Sequence, residues 1–139
     1  MLIGIPREPN PEQTLVAGTP DSVKKLIKLG YDVAVESGAG AKASYFDDAY
    51  EEAGAKIVSR EEAWGADIVV CLDTPPDAEL ALIKRGATLI ARMNPGANKD
   101  IIGKFAALGA RIRRVETQEL SPGLFLLHSE LRFDRETEL

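Results

Sequence analysis

The sequence holds one cysteine (Cys71), one histidine (His128) and one tryptophan (Trp64) in 139 residues, and aromatics make up only 6%. A lone cysteine forms no internal disulfide, and one cysteine with one histidine falls short of a Cys/His zinc site, so no metal is expected. Basic excess is missing too: 17 Lys and Arg face 22 Asp and Glu, for a net charge of -5. With those charges spread along the chain there is no basic stripe to neutralise phosphates, which argues against nucleic acid as a partner. No apolar run approaches the ~20 residues that span a bilayer. The opening "MLIGIPREP" lacks the charged-then-apolar layout of a signal peptide. These absences together predict a cytoplasmic protein with no direct membrane insertion.

What is present is the composition of a soluble globular domain: 45% hydrophobic residues, 28% charged and a mean hydropathy of -0.11. At this length one core is expected. Short apolar runs alternate with helical patterns. "LIGI" reads as a buried strand ended by Pro6. Thr19 can cap a helix with Pro20 at its first position, Val23, Leu26 and Ile27 on one face, and Gly30 at the C-terminus. "YDVAV" is a second strand. Ser44 with Asp47 forms a weak capping box for a helix whose buried face is Phe46, Ala49, Tyr50 and Ala53. "AKIV" and "ADIVVCL" are further strands, separated by "SREEAWG", a turn boxed by Ser59 and Glu62. "PPDAELALIKRG" and "ATLIARM" repeat the cycle, as do "NKDIIGKFAALG", with Ile101, Ile102, Phe105 and Leu108 on one stripe, and "ARIRRV".

Gly-Ala recurs at 54, 65, 86 and 109, each time between a helix end and a strand start. Glycine there is expected to close the helix in the left-handed conformation. Alternating helices and strands of this kind predict an α/β fold: a mostly parallel sheet with helices on both faces, a Rossmann/flavodoxin-like three-layer sandwich. The three arginines of "ARIRRV" mark it as an edge strand. From Glu116 onward the rhythm breaks: "ETQELSPGLFLLHSELRFDRETEL" holds one apolar cluster, Leu124 to Leu127, then a charged end that continues neither strand nor helix. The expected organisation is therefore an α/β domain over 1–115 and a divergent tail over 116–139.

"VESGAGAKAS" carries Gly38, Gly40 and Ala43 in the spacing G-x-G-x-x-A. In a dinucleotide fingerprint the first glycine permits the tight turn, the second admits the pyrophosphate, and the third position packs helix on strand. The loop here follows the second strand rather than the first, and the apolar face of the next helix begins only at Phe46. A plain strand-to-helix turn is the preferred reading. Arg7 and Glu8 follow the first strand, and Asp73 and Asn94 follow the fourth and fifth. All four are crevice candidates, since ligands of open α/β sheets bind beyond the carboxyl ends of the strands. Cys71 reads as a buried apolar cysteine, Trp64 as a core anchor, His128 as a surface residue without a triad around it, and "DDAYEE" as a solvated helix face. No catalytic residue is assigned.

"IGIPRE", "TPDSVKKLIKLGYDVAVESGAGAKASYFDDAYEEAGAKIV" and "NPGANKDIIGKFAALGA" resemble the N-terminal region of the proton-translocating NAD(P) transhydrogenase alpha subunit, within the alanine dehydrogenase/transhydrogenase family. The resemblance covers about 1–115. It implies hydride transfer between NADH and NADP coupled to proton movement in a full assembly, with NAD bound mainly by a separate Rossmann domain. It also implies a homodimer and partners in the NADP-binding and membrane subunits, with this chain peripheral to the inner membrane and inactive alone.

Departures accompany the resemblance. Leu15 stands where alanine dehydrogenases hold a carboxylate with Arg, Cys71 where they have Lys, and Asn94 where they have His. The Arg-Gln-Asp loop of transhydrogenases is missing from "QELSPGLFLLHSE". Losing a guanidinium and an ammonium removes groups that would bind and polarise a keto acid, so an alanine dehydrogenase-like enzyme ranks last. A non-catalytic dimerisation or interaction module on the same fold is the alternative. Divergence of the tail is what a truncated or frame-shifted reading, or a true short variant, would leave.

Overall fold

The computed structural model describes residues 1–92 in full, Ala107, and the strand backbones 111–121 and 124–132. The strands are β1 (Leu2–Ile5), β2 (Asp32–Glu36), β3 (Lys56–Val58), β4 (Ile68–Val70), β5 (Thr88–Ala91), β6 (Arg111–Ser121) and β7 (Leu124–Arg132). The helices are α1 (Pro20–Lys28), α2 (Asp47–Glu52), α3 (Arg60–Trp64) and α4 (Asp77–Leu80). One sheet runs in the order β3-β2-β1-β4-β5-β6-β7. Every pairing from β3 to β6 is parallel, and β7 closes antiparallel on β6. This is the expected α/β fold with a mostly parallel sheet flanked by helices.

Two buried clusters hold the sheet. Ile3, Ile5, Val33, Val35, Val23 and Tyr50 belong to one. Trp64, Val69, Cys71, Leu80, Ile83 and Leu89 belong to the other. β4 serves both, because alternate side chains of a strand leave on opposite faces: Val69 and Cys71 enter one cluster, while Ile68 and Val70 pack against the other. Each fully buried aliphatic side chain contributes about 1.5–3 kcal/mol relative to exposure. Trp64 is 1% exposed and anchors its cluster as anticipated. Gly4 lets α3 lie directly on β1, since a Cβ there would sit 2.0 Å from the Ala63 carbonyl oxygen.

Several local expectations need correction. Ser44 does not cap α2. It ends a 3-10 turn (Ala41–Ala43) in the left-handed conformation, φ 66°, and Phe46 is the residue preceding the helix. That position turns the Phe46 ring outward, and it is 61% exposed, whereas Tyr50 and Ala53 are buried as expected. Gly54 and Gly86 adopt φ of 101° and 80°, but Gly65 ends α3 at φ -84°. Its glycine is required by space instead, because a Cβ would come within 2.9 Å of the Glu61 carbonyl oxygen. β6 is not an edge: it lies between β5 and β7. The segment read as neither strand nor helix supplies β7 and the second half of β6. Asn94, Gly109 and the helix pattern of 98–109, apart from Ala107, lie outside the described residues.

Candidate functional site

In the order β3-β2-β1-β4-β5 the direction of chain progression reverses between β1 and β4. Beyond the carboxyl ends of two such strands the flanking loops part and open a crevice. The loop after β1 supplies Arg7 and Glu8 to it, the loop after β4 supplies Leu72 and Asp73, and Arg92 follows β5.

The two neighbours after β1 go opposite ways. Glu8 turns toward β4. It is 8% exposed, and its carboxylate accepts the Leu72 N–H at 2.5 Å and the Asp73 N–H at 3.2 Å. Burial raises the Glu8 pKa, and these two N–H bonds together with Arg92 work against that rise, while Asp73 adds to it. Asp73 in turn accepts from the Gln13 amide at 3.0 Å and from the Arg92 guanidinium at 3.1 Å. The mouth between β1 and β4 is thereby stitched by its own side chains. Cys71 lies beneath, 3% exposed, its thiol donating to the Asp73 carbonyl at 3.3 Å. Burial, with Glu8 and Asp73 adding like charge, pushes this thiol up, away from its thiolate form.

Arg7 turns toward β2. Its N–H donates to Glu36 at 2.7 Å and its guanidinium to the Ser37 carbonyl at 2.8 Å. Gly38, at φ 79°, makes room for that guanidinium, because a Cβ would stand 2.4 Å from Nη2. Gly40 is glycine for a similar reason, its Cβ position lying 2.6 Å from the Tyr50 hydroxyl. That hydroxyl donates to the Gly18 carbonyl at 2.7 Å, and burial pushes its pKa up to about 12. Both glycines of the G-x-G-x-x-A stretch thus admit side chains of this same chain.

The stretch does not fit a dinucleotide. The Gly38 N–H donates to Asp47 at 2.8 Å, and the Ser37 hydroxyl donates to the same carboxylate at 2.7 Å. Those bonds, with Arg7 nearby, lower the Asp47 pKa. The Ala39 and Ala41 N–H groups are turned onto the Glu36 and Gly38 carbonyls. A phosphate cradle needs free N–H donors converging at a helix start. Here a carboxylate already holds the seat, and α2 begins nine residues after Gly38.

Between the β1 loop and the glycine turn lies a cleft of about 210 Å³, lined by Arg7, Gln13, Leu15, Gly38 and Lys42 among others. Of the four candidates, Arg7 and Glu8 both line this cleft, Glu8 also meeting Asp73 at the β4 side, and Asn94 is outside the described residues. Lys42, Gln13 and Arg92 join them without having been singled out, and so does Asp47, read from the sequence only as a capping partner of Ser44. The signal for Asp47 was weak, a carboxylate inside a run read as a solvated helix face. Among the described residues no group of His, Cys, Asp and Glu could hold a metal ion. No helix among them is long and apolar enough to cross a membrane.

Residues 4–129 match the family described as "Alanine dehydrogenase/PNT, N-terminal domain". The chain belongs to this family. Its relatives are of two kinds. It is 44% identical over 107 residues to the NAD(P) transhydrogenase subunit alpha of Haemophilus influenzae, covering 77% of this chain and 21% of that protein. It is 33% identical over 117 residues to alanine dehydrogenase 1 of Staphylococcus aureus, covering 84% and 32%. Among solved structures it superimposes on an L-alanine dehydrogenase with a TM-score of 0.81 at 31% identity, covering 88% of this chain and 34% of that one. It matches a transhydrogenase from Sinorhizobium meliloti with a TM-score of 0.79 at 36% identity, covering 82% and 34%. The chain therefore spans about a fifth to a third of the length of these relatives.

Proposed function

We propose that this domain is the first lobe of an NAD(P) transhydrogenase alpha subunit. In the full assembly it would frame hydride transfer between NADH and NADP coupled to proton translocation, and alone it would be inactive. The observation that carries this reading is the 44% identity to the Haemophilus influenzae subunit, which exceeds the identity to the alanine dehydrogenases. The packing of the glycine turn supports the division of labour. With Asp47 on the Gly38 N–H and Arg7 over Gly38, the turn offers NAD no pyrophosphate seat. The cofactor is then held by a nucleotide lobe outside this chain, and the crevice edge of β1 and β4 faces it. Partners on this reading are a second copy of the subunit, the NADP-binding and membrane subunits, and through them the cytoplasmic side of the inner membrane.

Calorimetric titration separates the possibilities. NADH titrated into the chain alone is expected to give no saturable heat. The isolated nucleotide lobe of a transhydrogenase alpha subunit is expected to associate with the chain and, once associated, to bind NADH. Failure of the two to associate sinks the proposal.

A second reading, a non-catalytic interaction module, draws on Leu15 and Cys71. Leu15 is 63% exposed and Cys71 buried, and neither can replace the Arg and Lys that the family resemblance puts at those positions. Under that reading the complex forms but transfers no hydride between nicotinamide analogues. Pyruvate-dependent oxidation of NADH would instead revive the alanine dehydrogenase reading.

A further inference from the structure

The cleft between the β1 loop and the glycine turn carries two cations and one carboxylate, Glu8, whose oxygens are turned onto the Leu72 and Asp73 N–H groups. Arg7 and Lys42 both line it. Neither forms an ion pair among the described residues, where the three pairs are Arg60 with Glu79, Lys84 with Asp67, and Arg92 with Asp73. Both cations are instead steered by backbone carbonyls, Arg7 by Ser37 and Lys42 by Pro11. A carbonyl fixes a cationic head without cancelling its charge, which a carboxylate would do. Each bond also uses only one of the five N–H donors of a guanidinium or the three of an ammonium.

Three carboxylates lie close, Glu8 in the lining itself and Asp47 within reach of the Arg7 charge, and each is held by N–H or O–H donors. Glu36 accepts the Arg7 N–H, Asp47 accepts from Gly38 and Ser37, and Glu8 accepts from Leu72 and Asp73. These acids are thus held by N–H and O–H donors and the two cations by carbonyls, and both cations line one small space. Its apolar wall includes Leu15, Ala39 and Ala41. At about 210 Å³ it is smaller than the roughly 300–1,000 Å³ of pockets for drug-sized ligands.

We infer that this cleft binds a small dianion, with one charge on Arg7, the other on Lys42, and any short apolar spacer against Leu15. A planar guanidinium suits a bidentate oxyanion and a mobile ammonium takes the second charge as a point contact. The site goes beyond the transhydrogenase reading and does not depend on a nucleotide lobe, so each can fail alone.

The test is a titration of the full chain, followed by amide and guanidinium NMR shifts, with succinate, inorganic phosphate, propionate and neutral succinamide. Succinate or phosphate is expected to shift Arg7 Nε, Gly38 and Ala41 and to bind at least about tenfold more tightly than propionate. Succinate above phosphate identifies a dicarboxylate site, and the reverse a phosphate site. Arg7→Gln and Lys42→Met are each expected to weaken binding by about tenfold or more. Arg85→Gln, at a residue that does not line the cleft, is expected to leave it unchanged. Because Lys42 is exposed, its replacement keeps the test valid if Arg7→Gln disturbs the fold. No shift with either dianion at millimolar concentration, or an equal loss in Arg85→Gln, overturns the inference.

Discussion

A carboxylate that accepts both a backbone N–H and a hydroxyl, as Asp47 does from Gly38 and Ser37, is stabilised in its charged form. Its folded pKa is lowered from 3.8, first by the Gly38 bond and then by Ser37. Between the folded and unfolded values the unfolded chain binds more protons, so stability rises with pH there. The contribution is complete above the unfolded value and is lost as pH falls through the folded one. Asp47→Asn is expected to cost about 1 kcal/mol at neutral pH, a discounted figure for a half-exposed group. The deficit should shrink as the medium is acidified below the usual carboxylate range. Urea midpoints of wild type and variant across the acid range measure this, and a deficit independent of pH refutes it. Glu8 has the opposite sign, since burial raises its pKa; its contribution is fullest below the unfolded value and declines as pH rises through the folded one. That Arg7 and Glu8 would sit at the carboxyl edge was legible from their place after an apolar run. Which way each turns was not, because it depends on the Ser37 carbonyl and the Leu72 and Asp73 N–H groups, which only the folded chain brings near.

Among elements, those with complete punctuation were the readable ones. α1 has Thr19 accepting the Ser22 N–H at 3.2 Å, Pro20 at its start and Gly30 beyond its end at φ 97°. α3 has Ser59 accepting the Glu62 N–H at 3.3 Å. Such caps are local chemistry, so a short window of sequence contains them. α2 failed the same reading because its start is fixed from a distance: Asp47, its first residue, is engaged by Ser37 and Gly38 at the end of β2. Thr19→Ala is expected to lower stability by about 1 kcal/mol through loss of the cap. Thr19→Ser should retain nearly all of it, since a hydroxyl remains to accept the Ser22 N–H. Thermal or urea unfolding of both variants checks this, and equal losses in the two would show that the Thr19 methyl matters and not its oxygen.

Over the whole molecule, the alternation of strands and helices announced a parallel sheet, but strand order is a property of long-range packing that no window reveals. β6 shows why. Its arginines suggested an edge, yet ladder bonds use backbone groups and do not read side-chain charge, and β7 pairs with it through residues Ile112 to Ser121. The signal that could have found β7 was Pro122-Gly123 between two runs, a common turn dipeptide. The sheet also decides how the molecule unfolds. Ile5 and Leu89 are 1% and 0% exposed and belong to different clusters, on strands separated by β4. Since β4 feeds both clusters, neither can dissolve without removing a wall of the other. Ile5→Ala and Leu89→Ala are each expected to cost about 2–5 kcal/mol, a large share of the roughly 5–15 kcal/mol that holds a domain together. Both should unfold in urea in one transition with unchanged slope, and by tryptophan fluorescence and far-ultraviolet circular dichroism alike. Trp64 reports directly on the Leu89 cluster alone, so an Ile5→Ala transition in which fluorescence lags behind circular dichroism would mean two independent cores and would contradict the shared role of β4.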